Sequence, residues 1–516
     1  MKGLTLRKIA EVTGGELRLS LLDKDGRYLC LDGRQLGESH RQLLGREVSS
    51  IVTDSRRAGD GALFGAIVGE RADGHSFIPT VFDQGAVCVL AERELEMEDV
   101  FGSMSGDGAK THDAVEPKGP RAWIRVENTV SALGAIAAEY LNILGIPVVG
   151  ITGSVGKTST KEMIASVLSV RFRTRKTEGN FNNELGLPLT VFSLEEGDEA
   201  AVLEMGVSHF GDMTALAGIA RPGRMVITNI GTCHLEYLHD RKGVFRAKTE
   251  VFDFMKPGSM VFLNGNDDLL RQVEDVNGTS PVFFGVDSRC GGVSDLSAGS
   301  EISYPAGLQD VQCVTVTEMS PLGFDGTECT IHTPKGDMRV RVPVPGIHNC
   351  SNAAAAAAVG LSFGMSLDEI RRGIESARTI SGRFKIMRSG SRTVIDDCYN
   401  ANPVSMKSSL RVLKGAEGRR CAVLGDMGEL GEDEVRLHED VGAYAAQCAD
   451  HLVAIGNLSK AMYESALRQR PGMSAVWYGT VEEFLADAKW QILDNDTVLV
   501  KASHFMQFGR IVEALT

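Results

Sequence analysis

The chain has 516 residues, 43% of them hydrophobic and 24% charged, with a formal net charge of −14. Such a length exceeds one ordinary core and predicts two to four globular domains. The negative sum repels a polyanion at range, which excludes nucleic acid as a general partner but leaves room for a local phosphate pocket.

The first 17 residues contain no apolar stretch of the kind a secretory leader needs, and no 18-residue apolar run occurs anywhere, so neither secretion nor membrane insertion is expected. Ten cysteines are scattered from Cys30 to Cys448 without a CxxC pair or a zinc-spaced cluster, a usage that suits a reducing compartment such as the cytoplasm. Residues 1–125 read as a piece of mixed α/β character. Within it, 91–121 is rich in Glu, Asp, Gly and Lys and poor in aliphatics, and is expected to be an exposed, mobile insertion.

From 126 to 378 the texture is β/α. An apolar run at 146–152 precedes a glycine loop, and Met163, Ile164, Val167 and Leu168 then line one face of a helix. Further apolar runs at 200–206, 225–231, 260–264 and 281–286 predict parallel strands buried on both faces. Alternation over 311–345 predicts an antiparallel appendage. An alanine-rich helix at 349–364 and a second helix to about 377 come next. From 379 to 516, strands at 393–395, 421–424, 452–455, 475–478 and 497–500 predict a Rossmann-like unit. The fold class expected is α/β in three domains.

The loop after the first buried strand reads Gly153-Ser154-Val155-Gly156-Lys157-Thr158-Ser159. Its glycines let backbone N–H groups curl around phosphate oxygens, and the helix beyond adds its positive end. Lys157 would reach the β/γ-phosphates and Thr158 would ligate Mg²⁺. Ile151 stands where the commoner spelling of a P-loop has glycine, so the match is to a shorter form. The guanine-reading NKxD motif is absent, which favours ATP.

The chain beyond this loop resembles the Mur ligases, and in particular their dipeptide-adding branch. The matching segments are Gly179-Asn180-Phe181-Asn182-Asn183-Glu184, Glu204-Met205-Gly206, Asn229-Ile230-Gly231 with His234, Lys248-Thr249-Glu250, and His348-Asn349 with Asn352. Gly382-Arg383, Asp396-Asp397-Cys398-Tyr399-Asn400-Ala401-Asn402-Pro403 and Gly425-Asp426-Met427-Gly428-Glu429 continue in order. No DNPR-like segment, which a diaminopimelate- or lysine-adding relative would carry, is present.

The resemblance implies an ATP-dependent amide ligase that adds D-alanyl-D-alanine to a UDP-N-acetylmuramoyl-tripeptide through an acyl phosphate. It implies a uridine-nucleotide domain at 1–125, an ATP-binding domain at 126–378 and a ligase domain at 379–516, acting as a monomer. Lys157, Glu204, His234 and Lys248 are the implied catalytic set, with Thr158, Glu204, His234 and a carbamylated Lys248 holding Mg²⁺. A solvated strand-end Glu, a structural His and a salt-bridged Lys are the ordinary alternatives. Asn349, Asn352, Arg383, Asp396, Asp397 and Tyr399 would meet the nucleotide, although the aspartates could instead cap the next helix. Ser55, Arg56, Asn180, Asn183, Glu184, Asp426 and Glu429 would meet the substrates, with helix capping as the alternative for the 180–184 group.

Val500-Lys501-Ala502-Ser503-His504 stands where the family more often has VKGSR, which puts that loop's binding role in doubt. Two rival functions stay open: a sibling ligase with another acceptor, and a nucleotide-binding regulator without catalysis.

Overall fold

A computed structural model describes residues 1–22, 28–32, 42–70, 72–102, 121–287 and 313–516. Most of the expected insertion at 91–121 lies outside these residues. Its described ends are regular structure rather than loop: Ala91 closes one strand, Arg121 opens another, and Met97–Phe101 is a helix with a Glu96/Asp99 capping box.

The chain divides into two compact units, one comprising 1–147, 177–203 and 215–221, the other the remainder. In the first unit, β1 (Glu16–Leu22), β2 (Tyr28–Asp32), β3 (Ile51–Val52), β4 (Leu63–Gly65), β5 (Cys88–Ala91) and β6 (Arg121–Arg125) form one sheet in the order β2-β1-β6-β5-β4-β3. β1 runs antiparallel to both neighbours, and the pairs from β6 to β3 are parallel. Phe64, Val89 and Trp123 from three of these strands meet Ile78, Val81 and Phe82 in the core. The helix α1 (Thr129–Leu144) starts at Asn128, whose side chain accepts from Ser131 N, and ends at Gly145 in left-handed conformation.

The second unit opens with β7 (Val148–Thr152), the glycine loop and helix α2 (Lys157–Leu168). β8 (Thr174–Lys176) comes next; residues 200–203 of β9 (Ala200–Glu204) fall in the first unit, and its last residue, Glu204, in the second. β10 (Arg224–Ile227), β11 (Met260–Asn264) and β12 (Val282–Val286) extend in parallel from β7. β13 (Cys313–Pro321) pairs parallel with β12, and β14 (Thr327–Thr333) and β15 (Gly336–Val342) then run antiparallel. The expected appendage is thus continuous with the central sheet, because β13 serves both modes of pairing. β15 lies at the sheet edge and alternates buried Met338, Val340 and Val342 with exposed Asp337, Arg339 and Arg341.

Helix α3 (Arg241–Thr249) carries Lys248, and the alanine-rich helix α4 (Ile347–Ser362) is buried along most of its length. The last sheet contains β16 (Lys385–Ser389), β17 (Arg392–Asp396), β18 (Arg419–Gly425), β19 (His451–Ile455), β20 (Ser474–Tyr478) and β21 (Asp496–Lys501), ordered β16-β17-β21-β18-β19-β20. Only β16 is antiparallel to its neighbour. Side chains alternate across this sheet. Ile395, Ala422, Leu424, Leu452 and Leu499 fill one core, while Val394, Cys421, Val423, Val453 and Val500 fill another. Each buried Leu or Val contributes about 1.5–3 kcal/mol. Helices α5 (Pro403–Lys414), α6 (Glu434–Cys448) and α7 (Ser459–Gln469) connect these strands.

Candidate active site

The glycine loop is cradled by the end of β10. Ser154 N donates to Asn229 O (3.0 Å), Val155 N to Asn229 Oδ1 (3.0 Å), and both Thr228 Oγ1 and Asn229 Nδ2 donate to Val155 O. Gly153 holds φ +145°, and a Cβ there would lie 2.0 Å from Thr228 Oγ1. Gly156 caps α2 at φ +83°, so the loop turns directly into a helix N-terminus. Lys157 Nζ donates to Gly153 O at 2.8 Å, curling back over the loop. Gly231 N and Cys233 Sγ both donate to Ser154 Oγ, binding the loop to the segment that carries His234.

Thr158 and Glu204 are buried, with 4% and 1% of their surface exposed. Met205 N donates to Ile151 O and Thr152 Oγ1 to Met205 O, which fixes Glu204 beside the end of β7. Lys161 Nζ stands 3.6 Å from Glu204 Oε2. Lys248 is 1% exposed, and burial pushes its amine down to about 8, with Lys157 contributing in the same direction and Cys233 and Asp212 opposing. His234 holds left-handed backbone, and its Nδ1 lies 2.6 Å from Glu429 Oε2, close but poorly aligned for a directional bond. The imidazole beside Glu429 holds that carboxyl below its usual range. Among the described residues, no three His, Cys, Asp or Glu side chains form a ready metal cage.

The residues expected to meet the nucleotide are largely engaged with one another. Thr160 Oγ1 donates to Asn352 Oδ1 (3.0 Å), Asn352 Nδ2 to Asn349 Oδ1 (3.0 Å), and Asn349 Nδ2 to Pro345 O (2.8 Å). These buried amides brace α4 against α2 behind the loop. Asp396 accepts from Gly382 N and Ser381 Oγ, while Asp397 accepts from Lys501 Nζ (2.7 Å), Ser409 Oγ (2.6 Å) and Phe384 N (3.1 Å). Both carboxylates fasten residues 381–384 to the last sheet. Helix capping, the other reading, falls to Asn402, which accepts from Ser405 N at the start of α5. Tyr399 is left half-buried, with the Arg383 guanidinium 3.9 Å from its ring centroid and the His504 ring 5.3 Å away.

Asp426 is likewise spoken for. Its Oδ1 accepts from Ser459 N (2.7 Å) and Ser459 Oγ (2.6 Å), which caps α7, and Gly456 is forced because a Cβ there would meet that carboxylate. Glu429 remains half-exposed on the same loop. His438, fully buried on α6, holds the loop: Nε2 accepts from Met427 N (2.9 Å) and Nδ1 donates to Glu434 O (2.6 Å). Ser503 Oγ accepts from Gly428 N (3.0 Å), so the departing Lys501-Ala502-Ser503 segment is largely structural.

In the first unit, Asp54 caps the 3-10 turn Ser55–Arg57 and holds Arg56 bidentately at 2.7 and 2.9 Å, with the Arg56 side chain 87% exposed. Asn183 Oδ1 accepts from the N–H of Gly186 (2.8 Å), the first residue of the helix Gly186–Phe192. Exposed Glu184 lines a cavity of about 480 Å³ together with Glu139, Asn142 and Arg221.

Family models match three stretches: "Mur ligase family, catalytic domain" at 47–141, "Mur ligase middle domain" at 151–360 and "Mur ligase, glutamate ligase domain" at 382–504. The UDP-N-acetylmuramoyl-tripeptide–D-alanyl-D-alanine ligase of Bacillus subtilis is 33% identical, covering 91% of this chain and 93% of its own. The chain belongs to the Mur ligase family. The Escherichia coli protein of the same name is 30% identical over 100% of this chain and 99% of its own. Among solved structures, MurF from Acinetobacter baumannii superposes with TM-score 0.79 at 28% identity over 99% of this chain and 98% of that one. MurF ligase from Thermotoga maritima in complex with ADP gives 0.71 at 27% over 90% and 96%.

The expected family membership and three-domain α/β class are borne out by these matches. In this Mur ligase, sequence reasoning passed over three residues that organise the site. Asn229 clamps the loop with both ends of its amide, and its place in the Asn-Ile-Gly segment was the available signal. Lys161 lies one turn beyond Lys157 on α2, and His438 on α6 carried no local signal at all.

Proposed function

We propose that this chain uses ATP to join D-alanyl-D-alanine to a UDP-N-acetylmuramoyl-tripeptide, releasing ADP and phosphate. The observation that carries it is agreement over nearly the whole chain, at 30–33% identity, with two proteins named for that reaction. The loop geometry is consistent with it. Ordered backbone N–H groups, Lys157 and a helix N-terminus converge where a triphosphate would sit.

Amide formation from a carboxylate needs an activated electrophile. The tripeptide carboxylate would attack the γ-phosphorus of ATP, giving an acyl phosphate and ADP. The dipeptide amine would then attack the acyl carbon, lose its proton and expel phosphate. Lys157 would bear charge developing on the γ-phosphate. The hydroxyl of Thr158 and the carboxylate of Glu204 are hard oxygen donors that fit Mg²⁺, with phosphate and water completing the shell. Bound there, Mg²⁺ would supply charge neutralisation to the phosphoryl transfer.

Lys248 is proposed to be carbamylated. At about 8, roughly one amine in ten is neutral at pH 7, against about one in three thousand at the ordinary 10.5, and only the neutral amine captures CO₂. His234 is proposed to help hold a second Mg²⁺ beside it. Arg383 and Tyr399 are proposed to meet the nucleotide, and Ser55 and Arg56 the uridine end. Asn180, Asn183 and Glu184 would lie on the peptide side and Glu429 near the acceptor. Domains bounded at 125/126 and 378/379 belong to this proposal, each interval containing the strands of one sheet. So do a monomeric state and a cytoplasmic site. No helix of the described residues is long and apolar enough to cross a membrane.

The test is a panel of UDP-muramoyl peptides and acceptors scored by product mass. A pentapeptide product only with tripeptide and D-alanyl-D-alanine supports the reading. Acceptor-independent phosphate release with no ligated product overturns it.

A further inference from the structure

Helix α2 presents more than Lys157 and Thr158. Lys161 lies three residues beyond Thr158 and Glu162 four, so all occupy neighbouring positions of one helical face. Lys161 is among the largest fully buried side chains, with 1% of its surface exposed. A lysine ammonium in such a place is heavily penalised unless carboxylates surround it. Two do: Glu162 Oε1 at 3.4 Å and Glu204 Oε2 at 3.6 Å. Glu162 also pairs with Lys176 on β8. Four charges therefore alternate in a row, Glu204, Lys161, Glu162 and Lys176.

The order of this row matters. Glu204 is itself buried at the end of β9, and Lys161 reaches it from α2, so the ammonium sets where that carboxylate lies. Lys161 Nζ thus stands between the two carboxylates, 3.4 Å from Glu162 Oε1 and 3.6 Å from Glu204 Oε2. When a metal takes up that carboxylate, Lys161 still faces Glu162 and is not left bare.

We infer that Lys161 is a positioning residue for Glu204, setting its carboxylate for Mg²⁺ with nucleotide while Glu162 secures the ammonium through the exchange. The inference rests on the reading of Glu204 as a metal ligand. The action of Lys161 runs through the carboxylate, as partners of ligating groups commonly act.

The experiment uses the full chain with Lys161→Met, Lys161→Arg, Glu204→Gln and the double variant Lys161→Met/Glu204→Gln. Two quantities are read: urea unfolding in EDTA without nucleotide, and the Mg²⁺ dependence of ADP binding by calorimetry. The Met variant should raise the Mg²⁺ midpoint at least about tenfold, the usual scale for losing a partner of a ligating group. The Arg variant, which keeps the charge, should stay within about threefold. In EDTA the double variant should be more stable than Lys161→Met alone, because neutralising Glu204 removes a buried charge that Lys161 offset.

An unchanged or lowered midpoint in Lys161→Met overturns the inference, as does an Arg variant as impaired as Met. Should Lys161→Met fail to fold, a folded double variant supports the inference and an unfolded one overturns it. The ligase reading fails separately, through the product-mass panel, and the unfolding comparison in EDTA does not depend on it.

Discussion

His234 Nδ1 and Glu429 Oε2 approach to 2.6 Å, and both residues hold left-handed backbone, at φ +54° and +60°. Neither is glycine, so each carries a local cost of about 1–2 kcal/mol. The contact joins the segment after β10 to the loop after β18. A strained backbone at both partners is what is expected where position is selected over stability.

Glu429 should therefore separate stability from function. Glu429→Gly is expected to be about 1 kcal/mol more stable than Glu429→Ala, because only glycine is at ease at positive φ. Both variants should lose ligation activity. Urea melts alongside phosphate-release rates check this, and equal stability of the two would show that the backbone is unstrained.

The glycine loop offers a sharper case. Gly153→Ala places a Cβ 2.0 Å from Thr228 Oγ1, so the loop or the end of β10 must shift. The expected result is a loss of about 1–3 kcal/mol in folding stability and of measurable ATP binding. Calorimetric titration with ATP analogues would read the second effect directly.

Lys157→Ala should reduce ligation by a factor of about 100 or more while leaving affinity for the UDP-substrate near its original value. Lys157 and the proposed uridine contacts Ser55 and Arg56 belong to different compact units. Near-normal turnover in this variant would remove the phosphate-loop assignment.

His438 gives a pH signature. Burial lowers its affinity for protons below the ordinary 6.5, and Asp426 and Glu434 oppose that shift. The unfolded chain takes up a proton as pH falls through 6.5 while the folded one resists, so this contribution to stability is full above 6.5 and is lost below it. Protonation would also turn the Nε2 acceptor of Met427 N into a donor. His438→Gln should therefore flatten the fall in stability below pH 6.5, as read by unfolding midpoints across a pH series.

Much of the fold was legible in the sequence, for a physical reason. Strands such as β11 and β12 are continuous apolar runs, and only burial on both faces explains them. β16 was not legible, since Lys-Ile-Met-Arg-Ser is a half-buried edge with a mixed pattern. β14 lay within the alternation expected over 311–345, which set no bounds for single strands. At the site, the glycine loop announced itself because its requirement is local. The partners of the aspartates were not legible, because their requirement is not local. Asp397 meets Lys501 from 104 residues away, and Asp426 meets Ser459 from 33, distances that local spacing does not encode.

The edge at β15 has a bearing on how the molecule survives in a crowded solution. An open strand offers its unpaired backbone to any passing chain, and here Arg339 and Arg341 stand on its outward rungs, with Arg339 steadied by Glu328 at 2.6 Å. Guanidiniums facing their own copies repel, so self-templating into stacked fibrils is discouraged at a margin where the central sheet would otherwise invite it.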